Sequence, residues 1–259
     1  MRRARLAIVG AIALMVAAPV LWMLVRHRGV SEPRLIVASG QTTLDDAHVQ
    51  AGQPVAMGAR LRTGLMSISC LAVHTTRICL GANTSMRLAA IGAASETLDV
   101  EQGTVVVGTS GEQALVTVPG GSLQISQGIV EVEASAREVV VRAYEGSVGM
   151  TAGSAPASTV TAPAALNLEG KKRPPIPPLE AEERAMITLA RAWQGGSSGT
   201  VQINGMHGRV VVDGLGLGRP PVSVLLTTGP HTIVLREGDQ ELLRKTVDVS
   251  SGQNVVLSD

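Results

Sequence analysis

The hydrophobic pattern begins with one continuous apolar run and then changes to short alternating segments. Residues 6–25 contain no charged side chain. Arginines flank this run on both sides, at Arg2, Arg3, Arg5, Arg26 and Arg28. A helix of about 20 residues spans roughly 30 Å, the thickness of a hydrocarbon core, and satisfies its own backbone hydrogen bonds. The run therefore predicts a transmembrane helix.

A cleaved secretory signal is the alternative interpretation of the same segment. The best small-residue cleavage pattern, at 16–18, is followed by Pro19, and the run exceeds the usual signal core of about 7–15 residues. An uncleaved anchor is therefore favoured. Because three arginines precede the span, the positive-inside rule places residues 1–5 in the cytoplasm. The bulk of the chain is then periplasmic, on a single-pass protein of the bacterial inner membrane.

Residues 29–34 form a short linker, and residues 35–168 then alternate between strands and turns. Apolar and polar residues alternate with period two at 116–118, 123–125 and 130–133, which is typical of half-buried antiparallel strands. Glycines interrupt these segments every few residues, as expected for a sandwich, a barrel or a coil-like stack. The pattern predicts one all-β domain over 35–168.

The two cysteines fall on neighbouring strands of one predicted hairpin. The apolar runs 67–73 and 76–80 turn at His74 and Thr75, which places Cys70 directly opposite Cys79. A non-hydrogen-bonded pair of this kind has its Cα atoms about 4.5 Å apart, within the range of a disulfide. An oxidising compartment favours the bond, which would stabilise the fold by about 2–3 kcal/mol. Two buried free thiols are the alternative.

Residues 169–198 are predicted to form a proline-rich spacer that contains one helix, at 179–194. The spacer carries the basic triplet Lys171, Lys172 and Arg173. A solvated charge run is the favoured interpretation of this triplet, and contact with an anionic glycan or lipid surface is the alternative. The helix carries an apolar stripe of Met186, Leu189, Ala190 and Trp193. The stripe predicts packing against a β domain, and partner binding through Met186, Leu189 and Trp193 is the alternative.

Residues 199–259 form a second series of short alternating segments separated by glycine and proline, which predicts a small separate β domain. The composition argues against nucleic-acid binding. Phe is absent, there is one Tyr, and the two tryptophans, Trp22 and Trp193, fall in the predicted membrane helix and the spacer helix. With a net charge of +1, stacking platforms and an electrostatic surface for phosphate are both missing.

Catalytic and metal-binding motifs are not recognisable in the sequence. The five histidines are scattered, and His74, at the predicted hairpin tip, is interpreted as a solvated turn residue. The adjacent carboxylates of Asp45 and Asp46 are interpreted as charged loop residues rather than as an acid–base pair or a cation site. The glycines of 214–218 lead into a strand rather than a helix, which favours a turn over a phosphate site. We therefore expect no cofactor, no metal and no enzymatic activity.

Two family resemblances add to this pattern. Residues 61–64, 67–80, 83–88, 98–107 and 139–148 are similar, in order and spacing, to elements of the FecR domain family, over about 36–168. Residues 199–259 look like a PEGA domain, with Met206-His207-Gly208-Arg209 in place of the tetrapeptide that names that family. The PEGA resemblance implies a small extracytoplasmic β-sandwich without a catalytic centre, used for binding or spacing in the bacterial envelope.

The expected function is that of a membrane-anchored, non-enzymatic periplasmic scaffold that contacts envelope proteins or peptidoglycan. Assembly into a larger complex is compatible with this role. The FecR resemblance implies an alternative, a regulator that signals to a sigma factor. Residues 1–5 are too few to bind a globular partner, so such signalling would act through the transmembrane helix. An envelope hydrolase is a further alternative that no residue grouping supports.

Overall fold

A computed structural model describes residues 32–92, 95–153, 157–168, 171, 181–192, 197–205 and 207–258. The predicted transmembrane helix at 6–25, most of the spacer and Trp193 lie outside these residues. Within the described part, no helix combines the length and the apolar character needed to cross a bilayer. Residues 33–259 form one compact unit.

The described chain is nearly all β, with one helix, α1 (Ala181–Ala192). The first strands are β1 (Arg34–Ser39), β2 (Thr42–Leu44), β3 (Ala47–His48), β4 (Arg60–Thr63), β5 (Ser69–Val73), β6 (Thr76–Leu80), β7 (Ser85–Ile91), β8 (Ser95–Val118), β9 (Gly121–Ala134) and β10 (Val139–Ala152). The remaining strands are β11 (Ser158–Thr161), β12 (Ala164–Asn167), β13 (Ser198–Ile203), β14 (Arg209–Val212), β15 (Leu215–Gly218), β16 (Val222–Thr227), β17 (Gly229–Glu237), β18 (Gln240–Val249) and β19 (Asn254–Leu257).

These strands form two sheets. The larger has 15 strands and follows the order β19-β13-β16-β1-β5-β6-β8-β7-β4-β2-β3, with β9 to β12 continuing from β8. The smaller has four strands in the order β15-β14-β17-β18. Strand β1 pairs with β5 on one side and with β16 on the other. The sequence predicts separate β domains over 35–168 and 199–259, whereas in the structure both segments contribute to the same large sheet.

The β5–β6 hairpin has the predicted register. Cys70 lies opposite Cys79 across the hairpin, and the two residues form a disulfide with their Cα atoms 4.0 Å apart. Both cysteines are fully buried. The turn falls at His74 and Thr75, where His74 adopts a left-handed conformation with φ of 45°.

Strand β8 changes its neighbours along its 24 residues. Its first part pairs with β7, and the part after Gly103 pairs with β6 and β9. Gly103 has φ of +93°, and an added Cβ would lie 2.5 Å from the Cα of Thr84. Only glycine is compatible with this crowded left-handed position. The change of neighbours brings distant parts of β8 to the tip of the β5–β6 hairpin.

Helix α1 packs in the hydrophobic cluster shared by the two sheets. Met186 is 2% exposed and Ala190 is 7% exposed, and Leu189 is partly buried against the same cluster. The helix approaches β8 closely, because a Cβ on Gly108 would lie 2.6 Å from the carbonyl oxygen of Ala190. The described part of the apolar stripe therefore faces the core, as its helical spacing predicts.

Candidate functional site

The first candidate site is a polar cluster at the tip of the β5–β6 hairpin, formed by His74, Glu96 and Glu112. We call it the hairpin-tip cluster. The Nδ1 atom of His74 lies 3.3 Å from an oxygen of Glu96 and 3.7 Å from an oxygen of Glu112. Glu96 is near the start of β8, and Glu112 is in the irregular stretch of β8 where its register with β9 shifts. Imidazole nitrogen and carboxylate oxygens are ligands that divalent cations accept.

Burial controls the electrostatics of the cluster. The Glu96 side chain is completely buried, and this burial, together with a hydrogen bond to Glu112, raises the pKa of Glu96 to about 7. The Thr76 hydroxyl donates to Glu96 at 3.0 Å and partly opposes the shift. Burial alone would raise the pKa of Glu112, but bonds from the Thr75 N–H and from Glu96 outweigh it and lower that pKa. The Glu96 carboxyl therefore keeps its proton to a higher pH than the Glu112 carboxyl does.

The contribution of Glu96 to the stability of the protein should fall as pH rises from about 4.5 to about 7, in protein freed of divalent cations by a chelator. In this range the unfolded chain has released the Glu96 proton, whereas the folded protein retains it. The contribution is complete below the unfolded pKa and is lost as pH passes the folded pKa. The Glu96→Gln variant cannot ionise, so its urea-unfolding free energy should vary less with pH. Equal pH dependence of variant and wild type would contradict this assignment.

A cavity of about 560 Å³ opens beside the hairpin-tip cluster. Its lining includes His74, Arg77, Thr109, Gln127, Glu145 and Arg191. The Arg77 guanidinium donates to the carbonyl oxygens of His74 and Thr76, each at 2.8 Å, and so holds the hairpin turn in place. Glu145 and Arg191, which also line the cavity, form an ion pair. Of the three cluster residues, only His74 lines this cavity.

The interpretation of His74 as a solvated turn residue is wrong. Only 12% of its side chain is exposed. Sequence reasoning missed the cluster because Glu96 is 22 residues away along the chain, and because a fully extended strand would separate Glu96 from Glu112 by about 50 Å. Gly103, where β8 changes its neighbours, is the one sequence feature related to the cluster. The sequence does not show which residues this change brings together.

The second candidate site is a groove whose lining includes residues of β18 and β19. Each of these strands ends its sheet within the described residues. The groove has a volume of about 510 Å³ and is lined by His207, Leu235, Leu242, Leu243, Lys245, Leu257 and Ser258. Leu242 is 45% exposed, and Val256 on the adjoining strand is 54% exposed. We call this feature the edge groove.

The hydrogen-bonding pattern shows which backbone groups of β19 are directed outward. β19 runs parallel to β13, and the N–H groups of Thr200 and Asn204 donate to the carbonyl oxygens of Gln253 and Leu257. In a parallel ladder alternate residues turn their backbone groups toward the same neighbour. The N–H and C=O groups of Asn254 and Val256 therefore face away from β13, toward the free side of the sheet.

The other residues singled out from the sequence lie as follows. Lys171 is exposed, and its backbone N–H donates to the Asn167 side chain at 2.8 Å, whereas Lys172, Arg173 and Trp193 lie outside the described residues. Met186 is in the core and is not presented on the surface. Asp45 and Asp46 form a turn between β2 and β3 in which both have positive φ, and residues 215–218 form strand β15.

Comparisons with known proteins found similarity over part of the chain. No protein-family model matches the sequence, and no curated protein matches it. Two crystal structures of a candidate anti-sigma factor from Parabacteroides distasonis ATCC 8503 match with a TM-score of 0.38, at 12% and 11% sequence identity. Each match covers 42% of this chain and 53% of the other, so the match spans about half the length of that protein. This similarity is too low to assign a family.

Proposed function

We propose that this protein is a non-enzymatic binding and scaffold protein of the bacterial envelope, and that it binds extended segments of other proteins by strand addition at the edge groove. The observation that carries the proposal is the free edge of β19 beside an apolar groove. An added strand would bond to the outward backbone groups of Asn254 and Val256. Alternate side chains of that strand would then enter the groove, which is how strand addition combines affinity with specificity.

The chemistry of the groove defines the partner segment. Four leucines contribute most of its apolar lining, and the ionisable groups that line it, His207 and Lys245, are both basic. The complementary segment is therefore an extended peptide with alternating apolar residues and at least one acidic side chain or a terminal carboxylate. An aromatic-stacked sugar does not fit, because the groove lining contains no aromatic ring other than the imidazole of His207.

The membrane tether and the domain families belong to the same proposal. Uncharged residues 6–25 would hold the protein in the inner membrane with residues 33–259 in the periplasm, which is supported by the length of the apolar run. The FecR-like and PEGA-like segments are proposed on their sequence elements alone. Signalling to a sigma factor through the membrane helix, and binding of peptidoglycan, stay predictions that no feature of the described residues favours over protein binding.

Selection from a phage-displayed library of random 12-residue peptides tests strand addition on the full chain in detergent. We expect the selected peptides to alternate apolar residues and to carry acidic ones. The Val256→Pro variant should lose most of this binding, because proline removes an outward N–H and is tolerated on an edge strand. Lys245→Glu should reduce the binding of acidic peptides by about tenfold or more, through reversal of one charge.

Val256→Thr is the matched control for the proline variant. Threonine keeps the N–H and the strand preference while removing apolar surface, so it should retain peptide binding. A library that yields no alternating peptides contradicts strand addition, as does binding that survives unchanged in Val256→Pro. Far-ultraviolet circular dichroism of each variant separates loss of binding from loss of folding.

A further inference from the structure

The hairpin-tip cluster has the ligand spacing of a metal site. Zinc bonds of about 2.1 Å in a tetrahedral arrangement place neighbouring ligand atoms about 3.4 Å apart. The His74 nitrogen lies 3.3 Å and 3.7 Å from the two carboxylate oxygens, and one ligand atom from each of the three residues lies within 4.8 Å of the others. The His74–Glu96 contact is a long hydrogen bond, compared with a typical N–H···O distance of about 2.9 Å, and both separations also match neighbouring ligands of one ion.

The charge of the cluster also favours a cation. Glu96 is completely buried, and a buried carboxylate is costly unless it is paired or coordinates a metal. Its direct partners are a hydroxyl, an imidazole and a second carboxyl, from Thr76, His74 and Glu112. The Arg77 guanidinium donates to backbone carbonyl oxygens of the turn, and its positive charge also interacts with both glutamates. A divalent cation that replaces the Glu96 proton would be bound by both carboxylates at once.

We propose that His74, Glu96 and Glu112 form a zinc-binding site that ties the tip of the β5–β6 hairpin to β8. Three protein ligands leave the fourth position for water, and His74 is the ligand that borders the adjoining cavity of about 560 Å³. One imidazole in the set favours zinc over calcium and magnesium, which prefer oxygen ligands. This site is distinct from the edge groove, so its test does not depend on the proposed strand addition.

Zinc binding to the full-length protein in detergent at pH 7.5 tests the proposal. In competition with a chromophoric zinc chelator, we expect one Zn²⁺ per chain with a dissociation constant below about 10 μM. Each of three variants removes a direct ligand and should weaken zinc binding at least tenfold: His74→Ala, Glu96→Gln and Glu112→Gln. Cobalt substitution should give visible absorption typical of a low-coordinate site with mixed nitrogen and oxygen ligands. Zinc should also raise the unfolding temperature of the wild type, and a chelator should reverse the rise.

Two comparisons keep the test decisive. His48→Ala removes an exposed histidine outside the cluster and should bind zinc like the wild type. Glu112 is the most exposed ligand of the set, so Glu112→Gln keeps the test valid if the fully buried Glu96 position tolerates no change. Absence of stoichiometric zinc at 100 μM would overturn the proposal, as would wild-type affinity in both His74→Ala and Glu112→Gln.

Discussion

Replacing Arg142 with methionine should lower the free energy of unfolding by about 3–5 kcal/mol at pH 7, since removal of one partner of a buried ion pair leaves an uncompensated charge. The partner is Glu131, whose side chain is 1% exposed and is in direct contact with the Arg142 guanidinium. The Tyr144 hydroxyl donates to the other Glu131 oxygen at 2.9 Å. Methionine fills most of the arginine volume, so the loss of stability reflects the unpaired charge of Glu131 rather than a cavity.

A matched exposed pair controls for this result. Arg87 and Asp99 also pair across adjacent strands, but their side chains are 47% and 26% exposed. Arg87→Met should therefore lower the free energy of unfolding by less than about 1 kcal/mol.

Burial raises the pKa of Glu131 despite the opposing bonds from Tyr144 and Arg142. At pH values below the ordinary glutamate pKa, Glu131 is protonated, so Arg142→Met should lower the free energy of unfolding by less than it does at pH 7. If Arg142→Met and Arg87→Met lower the free energy of unfolding by similar amounts in urea titrations, Arg142 does not stabilise the buried charge of Glu131.

Removing the disulfide with Cys70→Ala and Cys79→Ala together should lower the free energy of unfolding by about 2–3 kcal/mol, from the loop-closure entropy of a nine-residue separation. Both side chains are completely buried among apolar neighbours, so alanine introduces no polar group. The measurement is urea unfolding of the oxidised wild type and of the double variant under the same conditions.

Reduced wild type provides the control, because it keeps both sulfur atoms and loses only the bond. It should resemble the double variant to within about 1 kcal/mol, the remaining difference arising from the small cavity that alanine leaves. Alkylation of the unreduced protein after unfolding in urea should leave both cysteines unmodified. Full labelling of Cys70 and Cys79 before reduction, or equal stability with and without the bond, would contradict the assigned role.

Local features of this fold could be predicted from the sequence. The register that places Cys70 opposite Cys79 follows from counting outward from a two-residue turn. The helix predicted at 179–194 is observed at Ala181–Ala192, because the apolar stripe and the charge order are properties of nearby residues. Period-two alternation likewise indicates strands wherever one face is buried.

Long-range pairing could not be predicted in the same way. The Ala51 N–H donates to the Ser223 hydroxyl across 172 residues, and β1 joins the two sequence segments in one sheet. Alternation shows that a strand has a buried face but does not identify its neighbours. The hairpin-tip cluster depends on the same kind of information, since a lone histidine in a turn carries no sign of carboxylates that another strand supplies.

The sequence predicts strand addition as a binding mode, but it does not predict the position of the edge groove. Exposed strand edges in a β protein suggest strand addition as a binding mode, but the sequence does not distinguish edge strands from internal ones. β18 and β19 have unremarkable alternation, and only the sheet order shows that each is an edge within the described residues. The exposed Leu242 and Val256 become informative once their strands are known to flank one groove.

Site-specific photocrosslinking in intact cells tests the central claim most directly. A photoreactive amino acid at position 256 should give a discrete crosslinked product with another protein, and Lys245→Glu in the same chain should abolish that product. The same probe at Thr161, an exposed residue of β11, should not give it. Identical products from positions 256 and 161, or no product from position 256, would contradict binding at the β19 edge.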